Sequence, residues 1–493
     1  MNNNTQPSLT GLILKNATFV TVAAFLLKGI NFVFNVFVVR RLGDDRFGQY
    51  SIVLAFVGIF QIFAELGMSQ YVMREIARDR SKATSLFWNL VALRVLLALL
   101  AMVAIPIAAS RVGYSSELVL GIFIYTISFL LSAFSVPLAS LLTADERLGY
   151  LSVIDVLAQV VFILFGSIFL FSGLGFIWLI VASLISLLPR IIVGAWALRR
   201  TVFRSLPFQI DVHLWPHLIR SGLPFGIISL MLSIAFSIDT VMLSWVVSEE
   251  VVGWYNVAYK LVFSLMIFFG GFQTAIVPSL SRVYVNDPHE VQRWYRASVK
   301  TIMLISLPIA VGGMLTAFPL IRFLYTDEYL PAALALQILI WDVPVLMFAA
   351  FCGDITTIIT EERSAARIYT INTIANVLLN WLFIPRFGLV GAALVTVVTD
   401  VISAIQFHLL LSRRLNLPNM IWVLVRIILA AALMAIPVWF ARNLNLFVMV
   451  AIGMVTYAVL ILAFRVLTEH DWALILRVLR RLRILPAAPS VSE

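Results

Sequence analysis

A small set of ionisable residues lies inside the long apolar runs of this 493-residue chain. A charged group within a bilayer is costly unless it faces protein or water. These residues are therefore the first candidates for function. They are Lys28, Glu65, Arg94, Asp155, Arg190, Asp239, Lys260, Asp342, Asp354, Asp400 and Arg426.

Lys28 is expected near mid-membrane, counting depth at ~1.5 Å per helical residue. Among the first three apolar runs no carboxylate shares its depth. A substrate phosphate would satisfy such a cation. The alternative is a structural pair with Asp342 or Asp400 across the molecule, and the sequence leaves both open.

Two further cations have carboxylates at matching depth, so we expect the pairs Glu65–Arg94 and Asp239–Lys260. A paired cation can still line a cavity. Arg94 and Lys260 therefore remain candidates for substrate binding.

Asn31 and Asn35 follow Lys28 on one face of the first apolar helix. Polar stripes of this kind join helices as often as they bind ligands. Their position beside Lys28 favours lining of a cavity.

Tyr255 and Tyr259 lie one helical turn apart beside Lys260, and could stack on sugar rings. The alternative is the aromatic belt found at membrane interfaces.

Buried carboxylates inside the runs are candidates for coupling to H⁺ or Na⁺, because such groups can exchange a cation near neutral pH. The alternative is a helix-packing contact. The candidates are Glu65, Asp239, Asp342 and Asp400.

The sequence does not contain the residue patterns that metal binding or enzyme catalysis would need. The five histidines form no ligand cluster, and no nucleotide-binding or nucleophile motif is present. We therefore expect no catalytic residue, no metal and no cofactor. The single cysteine, Cys352, excludes an intramolecular disulfide.

The composition is that of an integral membrane protein, with 62% hydrophobic and 12% charged residues. The apolar runs are continuous and about 20 residues long, which predicts transmembrane helices and excludes a β-barrel. The net charge of +10 lies mainly between the runs, so it does not indicate nucleic acid. The polar first ten residues predict no cleavable signal peptide.

Fourteen spans are predicted. They cover residues 16–38, 50–71, 86–109, 118–141, 151–171, 176–197, 221–246, 254–278, 299–319, 333–357, 368–385, 388–411, 421–440 and 446–464.

Basic residues concentrate in alternate connections, which by the positive-inside rule places both termini in the cytoplasm. The pair Arg40-Arg41 departs from this rule, because it lies in the first predicted outer connection. We interpret that connection as a special outer loop.

The chain contains a weak internal repeat. Gly48 matches Gly253 and Tyr50 matches Tyr255, and the residues of each pair are 205 positions apart. Further matches keep the order at slowly drifting offsets: Trp88 with Trp294, Arg94 with Lys300, 145–147 with 361–363, 173–174 with 388–389, and 199–200 with 413–414. The copies are six spans apart, so both run in the same direction.

The predicted fold is all-α and polytopic, with two parallel six-helix repeats around a central cavity and two additional C-terminal helices. The predicted segments are a cytoplasmic N-terminus (1–15), an N-terminal lobe (16–200), a basic linker (201–220), a C-terminal lobe (221–414), two extra spans (415–465) and a basic amphipathic tail (466–493) that lies on the inner leaflet.

Two like lobes with a shared seam are typical of transporters that alternate access around a central site. A duplicated scaffold without transport is the alternative, but it leaves the intramembrane charges unexplained.

The pattern R-x-L-G-x₄-G-x-Y at residues 40–50, with Lys28 before it and 65–75 after it, resembles polysaccharide flippases of the multidrug/oligosaccharidyl-lipid/polysaccharide (MOP) exporter superfamily. The resemblance extends across both halves. Lys28 matches the family's charged position in the first span.

The resemblance implies a flippase of the bacterial inner membrane that moves an undecaprenyl-pyrophosphate-linked oligosaccharide for O-antigen or exopolysaccharide synthesis. We expect it to act as a monomer in contact with membrane lipids, and a glycan polymerase or chain-length regulator is a candidate partner. Alternatives are a drug or cation antiporter or a lipid II flippase of the same superfamily, and a multispan glycan polymerase or ligase.

Overall fold

The computed structural model describes residues 9–200, 206–286, 290–359, 361–415, 417–468 and 471–472. Side chains are described from Leu27 onward, except at a few scattered helical positions. Of the predicted amphipathic tail (466–493), only residues 466–468 and 471–472 are among those described.

The described part of the chain is helical and contains no strand. The first half holds α1 Leu9–Phe60, α2 Met68–Arg78, α3 Ala83–Val112, α4 Ser116–Ala144, α5 Leu148–Phe171, α6 Phe176–Ile185 and α7 Leu188–Leu198. The second half holds α8 Trp215–Ser244, α9 Glu249–Asn286, α10 Glu290–Leu324, α11 Ala332–Leu339, α12 Asp342–Ile358 and α13 Glu362–Arg414, followed by α14 Ile421–Phe440 and α15 Leu446–Ala463.

The number of spans agrees with the prediction. Within the described ranges, ten helices are long and apolar enough to cross a membrane, or twelve with two bent pairs. Two of them, α1 and α13, have 52 and 53 residues, which at ~1.5 Å per residue is more than twice a bilayer core. Each breaks at a glycine with non-helical backbone, Gly43 or Gly388. Dividing both there gives fourteen spans.

We call α1–α7 the N-lobe and α8–α13 the C-lobe. Along the seam between them α1 packs on α8 and α9. The last two helices, α14 and α15, pack on α10 through an apolar cluster that includes Val311, Met434 and Met449. The backbone reflects the internal repeat, because Gly173 and Gly388, 215 residues apart, both have positive φ (74° and 53°).

The second predicted span, 50–71, is not one continuous helix. Helix α1 ends at Phe60, a 3₁₀ turn follows at Gln61–Ala64, and α2 begins at Met68. Between them Leu66 and Gly67 have left-handed backbone (φ 49° and 70°). The break places Glu65 at the end of a half-helix, an arrangement common at transporter sites.

For orientation we name the two ends of the molecule by these breaks. The Gly43 end contains Gly43, the end of α10 and the start of α15. The Gly67 end contains Gly67, the start of α8 and the start of α10.

Candidate functional site

Lys28 lies on the seam face of α1 and is exposed. Its Nζ is 3.9 Å from the place where a Cβ on Gly270 of α9 would lie, so the ammonium faces the opposite lobe. It forms no ion pair with any carboxylate among the described residues. The predicted alternative, a pair with Asp342 or Asp400, is therefore wrong here.

The polar stripe that follows Lys28 is partly engaged within the N-lobe. Gln159 of α5 donates from Nε2 to Asn31 Oδ1 at 2.6 Å. Asn35, half-buried, lies one turn further along. The stripe thus joins α1 to α5 while it continues the face that carries Lys28.

Lys260 on α9 does not pair with Asp239, contrary to the prediction. Its Nζ instead lies over aromatic rings of the N-lobe, 4.5 Å from the Phe47 centroid and 5.6 Å from that of Tyr50. Equal depth made the carboxylate pair plausible, but the two side chains point in different directions from their helices. Lys260 reaches across the seam, and Asp239 faces the interior of the C-lobe.

Asp239 is buried and is surrounded by neutral hydrogen-bond donors. Tyr255 Oη donates to Oδ2 at 2.9 Å, Thr396 Oγ1 to Oδ2 at 2.7 Å and Asn380 Nδ2 to Oδ1 at 2.5 Å. No cationic side chain of the described ranges pairs with it. The Tyr255 ring is fully buried here and stacks on Tyr259.

Next to this carboxylate the C-lobe contains a cavity of about 280 Å³. Its lining includes Tyr259, Thr396 and the carboxylates Asp342 and Asp400. Asp342 is buried, Asp400 is half-buried, and both line this one cavity. A cavity with two carboxylates in its lining is chemically suited to bind a cation. The tertiary structure thus brings three predicted coupling residues into one region.

The predicted pair of Glu65 and Arg94 is confirmed. Arg94 Nη1 lies 3.6 Å from Glu65 Oε2, and it also donates to Ser69 Oγ at 3.0 Å. Arg94 is 2% exposed, so in this conformation it offers no surface to a substrate. The pair ties α3 to the break that precedes α2.

Arg40 and Gln49 of α1 contact the C-lobe at the Gly43 end. Arg40 donates from Nε to the Leu324 carbonyl at 2.6 Å and from Nη2 to the Phe323 carbonyl at 2.5 Å, at the end of α10. Gln49 Nε2 donates to Glu249 Oε2 at 2.5 Å. We did not predict these contacts, although the exceptional position of Arg40 under the positive-inside rule was a signal.

The two glycines matched by the repeat meet each other between these contacts. A Cβ on Gly48 would lie 1.8 Å from the Glu249 carbonyl oxygen, and one on Gly253 would lie 2.3 Å from that of Asp44. Only glycine permits so close an approach of two backbones. We call the contacts of Arg40, Gly48 and Gln49 with the C-lobe the Gly43 seal.

The lobes also touch at the Gly67 end. A Cβ on Gly67 would lie 2.3 Å from Gly226 N and 2.4 Å from the Gly222 carbonyl oxygen of α8. The Arg74 guanidinium lies 5.2 Å from the centroid of Phe225. The seam is therefore in contact at both ends, with Lys28 on α1 and Lys260 on α9 along it.

Two like-directed helical repeats that meet along such a seam define a membrane transporter of the two-lobe class. The family follows from the sequence comparison. The profile of the family described as "Polysaccharide biosynthesis protein" matches residues 13–284, more than half of the chain, which therefore belongs to that family. The MatE profile matches residues 224–385.

Similar curated proteins agree with this assignment. A Haloferax volcanii protein named as a probable low-salt glycan biosynthesis flippase is 22% identical, over 92% of this chain and 97% of its own. A Shigella flexneri protein named as a candidate O-antigen transporter is 21% identical, over 76% of this chain and 92% of its own. The predicted resemblance to polysaccharide flippases is thus confirmed.

Solved structures share the fold. The lipid II flippase MurJ in an inward closed conformation has a TM-score of 0.73 at 16% identity, and covers 91% of this chain and 99% of its own. An inward-facing MATE multidrug transporter of the MOP superfamily has a TM-score of 0.62 at 18% identity, with 80% and 98% covered. At these identities the likeness concerns the fold alone.

Proposed function

We propose that the protein flips an undecaprenyl-pyrophosphate-linked oligosaccharide repeat unit across the cytoplasmic membrane by alternating access, for polysaccharide synthesis. The observation that supports this most directly is the pair of cations Lys28 and Lys260, which the two lobes contribute to one seam. Neither has a carboxylate partner in the described part of the chain. A diphosphate that passes along the seam supplies negative charge to each of them in turn.

The relatives support the glycan part of the proposal, since two of them are named for glycan or O-antigen movement. The orientation rests on charge. Arg74, Arg78 and Arg80 lie at the Gly67 end, which the positive-inside rule assigns to the cytoplasm. Loading would then occur from the Gly67 end and release at the Gly43 end.

We further propose that cation exchange at Asp239, Asp342 and Asp400 drives the cycle. A carboxylate held by neutral donors, beside a cavity whose lining includes two more carboxylates, can take up H⁺ or Na⁺ and release it when the lobe rearranges. No nucleotide is required for such a cycle.

The test of the main proposal is a flipping assay with lipid-linked oligosaccharide in proteoliposomes, together with export in a deletion strain. We expect Lys28→Ala to reduce flipping at least tenfold, because a diphosphate contact to a charged group is worth about 1.5–3 kcal/mol. Lys28→Arg should retain part of the activity, since it keeps the charge but not the compact ammonium.

Lys82→Ala is the matched control, because Lys82 pairs with Glu75 away from the seam (2.9 Å). Accumulation of lipid-linked units inside the deletion strain supports the flippase. Drug sensitivity with normal glycan export would instead support an antiporter. Equal flipping by Lys28→Ala and the wild type, at equal expression, would remove Lys28 from the mechanism.

A further inference from the structure

The contact of Lys260 with Phe47 and Tyr50 joins the site of the substrate charge to the Gly43 seal. Lys260 belongs to α9 of the C-lobe, and both aromatic residues belong to α1 of the N-lobe. Phe47 and Tyr50 also flank Gly48, whose backbone meets the C-lobe directly. The cation–π contact therefore crosses the seam at the seal.

The surroundings of the contact are apolar. Phe47 is 0% exposed, Tyr50 is 7% exposed and Lys260 is half-buried. The edge of Tyr329 packs on the Phe47 ring from the C-lobe (6.5 Å). A cation over aromatic faces is held more strongly when water is excluded. In this conformation the contact therefore contributes to closure of the seal.

An anion would compete with the aromatic rings for the ammonium. A phosphate oxygen forms a charge-assisted hydrogen bond with an ammonium, which is stronger than its attraction to a ring quadrupole. No ion pair in the described residues holds Lys260 elsewhere. Its four-carbon stem and free rotation allow the ammonium to move without a change in α9.

We propose that Phe47 and Tyr50 hold Lys260 while the site is empty, and that the diphosphate of an arriving substrate withdraws Lys260 and so releases the Gly43 seal. This rests on the proposed flippase function and adds the step by which cargo opens the gate. Phe47 and Tyr50 are then positioning residues for Lys260. A neutral lipid would occupy the seam without opening it.

The strength of the cation–π contact sets the expected shift of the equilibrium between the closed and the open seal. A cation–π contact changes an equilibrium by about two- to fivefold at an exposed site and by about thirtyfold at a desolvated one. Removal of the contact by mutation should favour the open seal by a factor in this range. Diphosphate should act in the same direction on the wild type and should add little in the mutant.

The experiment is double electron–electron resonance between spin labels at Val112→Cys and Leu444→Cys, in a Cys352→Ala background. Both positions are exposed and lie at the Gly43 end on opposite sides of the seam, on α3 and beside α15. The probes are inorganic diphosphate and undecaprenyl diphosphate, with sodium sulfate as the ionic control. We expect both diphosphates, but not sulfate, to increase the long-distance population.

Substitutions on both sides of the contact test whether the contact itself holds the Gly43 seal closed. Phe47→Leu should increase the long-distance population without ligand and reduce the further response to diphosphate. Lys260→Met should do the same from the other lobe, which keeps the test available if Phe47→Leu does not fold. Lys260→Arg should behave as the wild type, because a guanidinium also stacks on rings.

Phe171→Leu is the matched control, because Arg41 lies 5.0 Å from the Phe171 ring centroid and both residues belong to the N-lobe. We expect it to leave the distances unchanged. If Phe47→Leu matches Phe171→Leu, or if Lys260→Met still responds to diphosphate, the inference is wrong. The flipping assay is independent: failure of flipping with an intact diphosphate response would overturn the proposed substrate and leave the gate contact standing.

Discussion

Arg40 and Arg41 are adjacent in sequence but have different partners. Arg40 donates to the last carbonyls of α10 across the seam, where a cation is also favoured by the helix dipole. Arg41 remains in the N-lobe, over Phe37 and Phe171. The unusual pair of basic residues at this end is therefore explained by two separate contacts, and only one of them holds the lobes together.

Among the described residues Lys28 has no ion-pair partner, and the C-lobe lacks a carboxylate at the position that Lys28 faces. The 205-residue offset that matches Gly48 with Gly253 also matches Glu65 with Gly270. Glu65 pairs with Arg94 within the N-lobe. At the corresponding place the C-lobe has a glycine, and Lys28 faces it.

The carboxylate of Asp239 should determine the dependence on a cation gradient. Asp239→Asn retains polar atoms for its neighbours Tyr255, Thr396 and Asn380 but removes the charge that we propose binds H⁺ or Na⁺. We expect flipping in proteoliposomes to lose its response to an imposed Na⁺ or H⁺ gradient and to fall at least tenfold. Asp155→Asn is the control, because that carboxylate pairs with Arg190 at an exposed site. An unchanged gradient response in Asp239→Asn would exclude it as a coupling residue.

At the scale of elements, the C-lobe has no carboxylate at the position that matches Glu65, and the carboxylate that pairs with its cation comes from outside the repeat. Lys300, which matches Arg94, pairs with Asp471 after α15. Thr468 and Asp471 also cap each other, since the Thr468 N–H and hydroxyl donate to the Asp471 carboxylate (2.7 and 2.6 Å). Burial raises the pKa of Asp471, but the hydrogen bonds from Lys300 and Thr468 outweigh it and lower the pKa overall. The last helices are thus fastened to α10 by charge as well as by packing.

The close approach of α1 and α9 should make Gly48 intolerant of any side chain. In Gly48→Ala the new Cβ would lie 1.8 Å from a backbone oxygen, so the helices must separate. We expect a loss of about 1–3 kcal/mol in the closed conformation, as for overpacking elsewhere, and a lower thermal unfolding midpoint.

The control is Gly149→Ala, a helical glycine with open space around its Cβ position. It should leave the midpoint unchanged or raise it, because alanine favours helix by about 1 kcal/mol over glycine. Equal midpoints for the two variants would show that Gly48 is not a packing constraint.

For the molecule as a unit, contacts at both ends of the seam mean that at least one set must break in transport. Asp44 Oδ2 accepts from Trp254 Nε1 at 3.0 Å at the Gly43 end. Tyr71 Oη lies 2.9 Å from His217 Nε2 at the Gly67 end. Both pairs join an N-lobe residue to a C-lobe residue, so alternating access requires each pair to separate once per cycle.

We therefore expect a cross-link at either end to stop flipping. Cysteines at 44 and 254, or at 71 and 217, would be joined by a short bis-methanethiosulfonate reagent in the Cys352→Ala background. Flipping should fall to background and recover when a thiol reductant cleaves the link. Cysteines at Asp155 and Arg190, whose side chains meet within the N-lobe at 2.8 Å, are the control and should have no effect. Full activity with either seam link closed would argue against alternating access.

The sequence alone determined the helical spans, their common direction in the two halves, and the charged residues that had to face protein. These follow from hydropathy, residue spacing and the cost of burying charge, all of which act along the chain or along the membrane normal. For the same reason the Glu65–Arg94 pair was predictable from depth.

Only the tertiary structure decided how each helix is rotated about its axis, and therefore which of its side chains contact which neighbouring helix. Depth in the membrane predicted that Lys260 pairs with Asp239. The rotation of α9 about its axis instead directs Lys260 to Phe47 and Tyr50. The break at Leu66 and Gly67 likewise depends on contact with Gly222 and Gly226 more than 150 residues away. Rotation and close approach are set by packing between helices, which a single apolar run does not encode.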